Sequence, residues 1–309
     1  MFSRCYPIIK SDCMRTIILS VIGLGCCILS SGQSADDIRE KIAQDVVNLK
    51  VAPVPVASVQ NTVAILDKDT VLIRIYKPSA TKRNLPVIYH IHGGGFVAGD
   101  LNTHDNICRV LCKESNAIVV SVDYRRPPEN PYPAAVNDSY IVLKWIDKNM
   151  RDLGGNGKII VIGDSAGGNL AAVIGMKNVT EKKPVPVNGM ILVNPGLDAR
   201  DGSSSMKAFG DFVKMYVPDT VSRHLYTITP LLGENIDKLP QTLIIVSEKD
   251  PIKDEGYSYQ TLLRDKGVKT TLYEQKGEGH LGPLWAAADN SVRQSLNVVL
   301  ATIKVWERE

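Results

Sequence analysis

The apolar run Ile160-Val161-Ile162 leads straight into Gly163-Asp164-Ser165-Ala166-Gly167-Gly168, and a helix-compatible segment follows from Asn169. That order predicts a strand, a very tight turn and a helix, with Ser165 at the apex of the turn. The requirement is steric. A serine held in so sharp a turn needs small neighbours because the chain folds back closely on either side. The helix that follows directs its N-terminus at the serine, where developing negative charge is favoured.

The rest of the chain fits around that unit. Short apolar runs at 86–91, 117–122, 159–162, 190–193 and 242–246 suit strands of a parallel sheet buried on both faces. The more polar Lys269–Tyr273 suits a later strand nearer an edge, and Thr70–Tyr76 is rich in β-branched residues. Val136, Tyr140, Leu143, Ile146 and Met150 share one helical face, as do Val292, Leu296, Val299, Ile303 and Trp306. Strand and helix alternate from about residue 86, which makes the class α/β, with a mostly parallel central sheet and helices on both faces. Ser34–Leu49 reads as a helix capped by Ser34, and Val51–Val59, with two prolines, as an extended connector. The segment from Arg200 to Thr229 interrupts the alternation. Residues 36–59 and 200–229 are therefore the candidate elements of a small helical cap.

The N-terminus obeys other rules. Arg4, Lys10 and Arg15 precede an apolar run from Ile17 to Leu29, and small polar residues follow. This pattern predicts a signal peptide over 1–34, a domain over 35–309 and export to a periplasmic or extracellular location. The run is shorter than the about 20 residues a spanning helix needs, so no stable membrane span is expected. Met14 is an alternative start. Cys26 and Cys27 leave a lipid anchor open as a second reading, although Gly23-Leu24-Gly25 matches such a processing site loosely. Cys5, Cys13, Cys26 and Cys27 all lie in this leader. Cys108 and Cys112 remain in the body, four apart in an expected helix, where both should act as small buried hydrophobes.

A second glycine cluster, His92-Gly93-Gly94-Gly95-Phe96, again follows a strand. Successive glycines let backbone N–H groups converge on an oxyanion without Cβ obstruction. Gly94 and Gly95 are the expected donors, Gly93 a further candidate, and Ala166 N–H the partner from the serine turn. No lysine follows the glycines, as a phosphate loop would require. Of the five histidines, His90, His92 and His104 precede the serine and His224 precedes the last strands. His280, in the flexible Gly277-Glu278-Gly279-His280, is the candidate base. Asp250 lies just beyond the strand ending near Val246, where α/β sheets place functional groups. Glu248, Asp254 and Glu255 compete with it locally. Net charge is +3 without a block of like charges, so nothing points to a nucleic-acid groove.

Taken together, His-Gly-Gly-Gly-Phe at 92, Gly-Asp-Ser-Ala-Gly-Gly at 163, Asp-Pro-Ile-Lys-Asp-Glu-Gly at 250 and Gly-His at 279 resemble the hormone-sensitive lipase family of esterases, in its branch with Asp before the nucleophile. Val122-Asp123-Tyr124-Arg125-Arg126-Pro127-Pro128-Glu129, Tyr132 to Asp138 and Leu262 to Val268 extend the resemblance over roughly residues 60–305. It implies the α/β-hydrolase fold and hydrolysis of short-chain carboxylic esters, without cofactor or metal. It also implies a catalytic Ser165, Asp250 and His280, and supporting hydrogen bonds from His92, Asp164 and Glu129. A small-molecule ester is then the partner, and the oligomeric state stays open. An amidase using the same triad and a non-catalytic binding protein are the other readings; the second usually lacks a triad member. Three departures bear on substrate choice. His280-Leu281-Gly282 replaces the usual His-Gly-Phe, Asn194-Pro195 replaces Tyr-Pro, and Tyr124-Arg125-Arg126-Pro127-Pro128-Glu129 replaces Tyr-Arg-Leu-Ala-Pro-Glu.

Overall fold

A computed structural model describes residues 34–80 and 83–308. The expected leader, residues 1–34, lies outside the described residues except for Ser34. Helix α1, Ala35–Asn48, begins at a reciprocal cap: Ser34 Oγ accepts the Asp37 N–H at 3.2 Å and Asp37 accepts the Ser34 N–H at 3.0 Å. Strands β1 (Ser58–Leu66), β2 (Asp69–Lys77), β3 (Leu85–Ile91), β4 (Ile118–Asp123), β5 (Gly155–Asp164), β6 (Val187–Val193), β7 (Thr242–Ser247) and β8 (Thr270–Gln275) form one sheet in the order β1-β2-β4-β3-β5-β6-β7-β8. Along that order every neighbouring pair from β4 to β8 is parallel, and β2 alone runs the other way, antiparallel to both β1 and β4.

The remaining helices are α2 (Asp105–Ser115), α3 (Ala134–Lys148), α4 (Met150–Leu153), α5 (Ala166–Val179), α6 (Ser204–Tyr216), α7 (Lys253–Asp265), α8 (Gly282–Ala286) and α9 (Arg293–Trp306). The two-residue period of a strand divides the core in two. Val87, Tyr89, Val161, Leu192 and Ile244 pack under α3, α5 and α7. Ile88, Val119, Ile160, Ile191 and Ile245 pack under α2 and α9. Cys108 and Cys112 are buried and unbridged in the second layer. Among the described residues no helix is long and apolar enough to cross a membrane.

Two boundaries differ from the sequence reading. The connector ends at Ala57, because Ser58 and Val59 open β1, so the expected cap element 36–59 overlaps the sheet at its end. β1 gave no buried apolar run to detect. It is an edge strand in which only Ala64 is fully buried, while Val63 and Ile65 stay exposed. Helix α3 also stops at Lys148, and Met150 belongs to the short α4.

Candidate active site

The parallel sheet brings four strand ends together. β5 lies at its centre between β3 and β6, and Ile91 of β3 pairs with Gly163 of β5. The chain turns out of β5 through Ser165, which has φ 53° and ψ −117° and immediately precedes α5. This is a strained conformation for a side chain with a Cβ, held by the Ser165 N–H donating to the Val193 carbonyl at 2.8 Å. The flanking glycines are obligatory. A Cβ on Gly163 would stand 2.2 Å from the Gly167 carbonyl oxygen, and one on Gly167 2.1 Å from that of Ile91.

His280 arrives from the loop after β8. Its Nε2 is 2.9 Å from Ser165 Oγ and its Nδ1 2.9 Å from Asp250 Oδ2. Asp250 Oδ1 accepts the Ile252 N–H at 3.1 Å. The loops after β7 and β8 are stitched together: Lys249 N–H donates to the Glu278 carbonyl at 2.8 Å and Gly277 N–H to Glu248 Oε2 at 2.9 Å. Glu248 is thereby occupied away from the imidazole. Asp254 is exposed in the first turn of α7. Buried Glu255 accepts the N–H groups of Leu197, Asp198 and Ser205. Of the four carboxylates that competed in sequence, Asp250 is the one that meets His280. Burial alone would hold His280 neutral, but the facing Asp250 carboxylate, with Asp164 behind it, lifts the imidazole above its ordinary value. Burial likewise opposes ionisation of Asp250, yet His280 and the hydrogen bonds to Ile252 and Asn194 leave it below the usual carboxylate range.

The glycine loop lies beside this group. Gly94 has φ 116°, Gly95 φ 62° and Phe96 φ 66°, a sequence of left-handed conformations that curls the chain so that amides can converge. Ala166 opens α5, so its N–H is among those a helix leaves without an intrahelical acceptor. A Cβ on Gly93 would stand 2.3 Å from Asp164 Oδ2, so only glycine lets the loop approach so closely. His92 is fully buried; burial holds it well below its ordinary value and therefore neutral. Its Nδ1–H donates to the Gly93 carbonyl at 2.8 Å, and its ring stacks on Tyr124 at 4.1 Å. Asp164 faces His104 Nε2 at 3.4 Å and His90 Nε2 at 3.9 Å. Glu129 touches none of these groups. It binds Arg39 of α1 at 2.7 Å, and Arg39 also donates to the carbonyls of Val97 and Pro127, so its support reaches the glycine loop through the N-terminal helix.

Several neighbours were not foreseen from sequence. Helix α6, in the 200–229 insertion, kinks at Phe209, whose ring centroid lies 5.0 Å from that of His280. Phe212 packs so closely on Gly95 that a Cβ there would stand 2.4 Å from its ring. Phe96 and Tyr216 stack at 3.9 Å with their planes 4° apart. Only the aromatic content of 209–216 hinted at these contacts. Among the described residues no group of three or more His, Cys, Asp or Glu side chains is arranged to hold a metal ion.

A buried acid, a histidine and a serine in a strained turn beside a glycine loop are the parts of a serine hydrolase. A protein-family model described as alpha/beta hydrolase fold matches residues 88–282. Carboxylesterase NlhH of Mycobacterium tuberculosis is 38% identical over 215 residues, which cover 65% of this chain and 67% of the relative. Esterase LipI of the same organism is 35% identical over 249 residues, covering 74% and 78%. An esterase structure from Pyrobaculum calidifontis superposes with a TM-score of 0.85 at 30% identity, over 94% of this chain and 97% of that one. The chain belongs to the α/β-hydrolase fold family, among its hormone-sensitive-lipase-like carboxylic ester hydrolases.

Proposed function

We propose that the protein hydrolyses short-chain carboxylic esters through an acyl-enzyme formed on Ser165. The observation that carries this reading is the pair of 2.9 Å contacts by which His280 joins Ser165 to Asp250. In the first half-reaction Ser165 Oγ attacks the ester carbonyl while His280 Nε2 takes its proton. The carbonyl oxygen gains negative charge where the amides of Gly94, Gly95 and Ala166 can donate to it, with Gly93 completing the loop. His280 then gives the proton to the departing alkoxide, leaving an acyl ester on Ser165. In the second half-reaction water repeats the sequence with His280 again as base, and the acid leaves. Asp250 holds the Nδ1–H tautomer and stabilises the imidazolium. Asp164 and His92 support the loop and Glu129 supports it through Arg39.

Phe209 lies beside His280 and Phe212 against Gly95, and this aromatic bulk next to the triad and the glycine loop favours a bounded acyl pocket over an open groove. Each methylene buried adds about 0.8 kcal/mol until the pocket is full, after which further carbons force strain or stay in water. With p-nitrophenyl esters from acetate to palmitate, kcat/KM should peak between acetyl and hexanoyl and fall sharply beyond about octanoyl. A kcat/KM that keeps rising to palmitate, or a jump in rate at the solubility limit of the substrate, would make the enzyme a true lipase.

The basic, apolar and small-residue order of the first 35 residues supports export. Mass spectrometry of protein from the native host should find a mature N-terminus between Cys26 and Asp36. An intact Met1 or Met14 in a cytosolic fraction would remove the export reading and leave the esterase intact.

A further inference from the structure

Asn194 follows the last residue of β6 and takes a left-handed conformation, φ 44°, which asparagine tolerates better than most residues. Its N–H donates to the Ile245 carbonyl at 2.8 Å, so the turn is anchored to β7. Its side chain is buried and reaches across to the acid. Nδ2 donates to Asp250 Oδ2 at 2.5 Å and to Ser247 Oγ at 3.1 Å. The Ser247 hydroxyl also lies 3.3 Å from Asn194 Oδ1, toward which it can donate; the carboxylate, which only accepts, sets the orientation that turns the NH₂ group to Asp250.

Asp250 Oδ2 is therefore shared between Asn194 on one side and His280 Nδ1 on the other, while Oδ1 is held by Ile252 N–H. We propose that Asn194 is a positioning residue of the triad: its amide fixes the rotamer of Asp250 and draws charge from the oxygen that faces His280, which makes His280 a weaker base than Asp250 alone would. The inference rests on the triad reading given above. The charged groups facing His280 are Asp250 beyond β7 and Asp164 at the end of β5, and behind Asp164 stand His104 and His90. Asn194 is neutral, so its influence is that of a dipole whose positive end points at the carboxylate. Removing that dipole lets Asp250 hold the imidazolium more strongly.

Two variants test this, each followed by pH profiles of kcat and kcat/KM on p-nitrophenyl acetate and by the proton NMR signal of the His280 Nδ1–H. Asn194→Gly suits the left-handed backbone and removes the amide. Its kcat should fall about ten- to hundredfold, the scale of one hydrogen bond to a charged group, with KM nearly unchanged. Its acid limb should move to higher pH, because His280 keeps its proton longer, and the Nδ1–H signal should shift. Asn194→Asp keeps the shape. While protonated, the new carboxyl donates as the amide does, so activity near neutrality should be largely retained. Two carboxylates this close resist double ionisation, and once both ionise His280 is over-stabilised as a cation. The variant should therefore lose activity on the alkaline side, where the wild type does not. Wild-type kcat with an unmoved acid limb in Asn194→Gly, or a loss confined to melting temperature, overturns the proposal. If Asn194→Gly does not fold, Asn194→Asp decides: an alkaline profile parallel to the wild type overturns it. Should Ser165→Ala retain activity, the triad reading falls and this one with it; an inert Ser165→Ala beside an unaffected Asn194 pair removes this inference alone.

Discussion

Replacing Ser165 by alanine should lower kcat by about 10⁴- to 10⁶-fold, the range found when a triad nucleophile is removed. The side chain makes one polar contact, to His280 Nε2. The strained turn is held by backbone bonds and by the close approach of Gly163 and Gly167, all of which alanine leaves in place. Folding should therefore be nearly unaffected, and circular dichroism with a melting curve checks it. Loss of activity without loss of structure would place the chemistry on one oxygen atom. Retained activity near wild type would remove the whole mechanism.

Asp250→Asn should cost about 10⁴-fold in kcat, for a reason the local hydrogen bonds specify. The Ile252 N–H needs an acceptor at the position of Oδ1. An asparagine would keep its carbonyl there and turn its NH₂ toward His280, with the Asn194 amide flipped so that its Oδ1 accepts from that NH₂. His280 Nδ1 would then have to accept, which moves the ring proton to Nε2. That nitrogen would face Ser165 as a donor and could not take its proton. Substrate binding should change little, so the loss should appear in kcat rather than KM. A loss of less than tenfold would mean that Asp250 is not the group that sets the tautomer, and Glu248 would become the acid to test next.

How far the site could be read from sequence depended on how locally each part is constrained. The serine turn and the glycine loop are steric solutions within a few residues, and both stand where the motifs put them. The choice of acid was harder. Glu248, Asp250, Asp254 and Glu255 fall within one loop and the start of α7, and what separates them is how that loop is tied to Glu278 and Gly277. The partner of Glu129 was out of reach, because Arg39 lies 90 residues away. Asn194 stood out as an unusual residue at a strand end, but its partner is 56 residues further on. The same logic covers the fold. Parallel strands buried on both faces declare themselves as apolar runs, whereas β1, half exposed at the edge, reads like a loop.

The packing of α6 against the glycine loop limits how this enzyme could be re-engineered. Phe212 lies on Gly95, and Tyr216 stacks on Phe96. The helix proposed to bound the acyl pocket is thus packed directly on the loop proposed to bind the oxyanion. On that reading selectivity and turnover are not separate modules. Trimming the aromatic side chains to admit a bulkier acid would loosen the loop beneath them, so wider scope should come with a slower step. A swap of residues 200–229 from a relative would need to carry matching aromatics, or inherit a site shaped for a different floor.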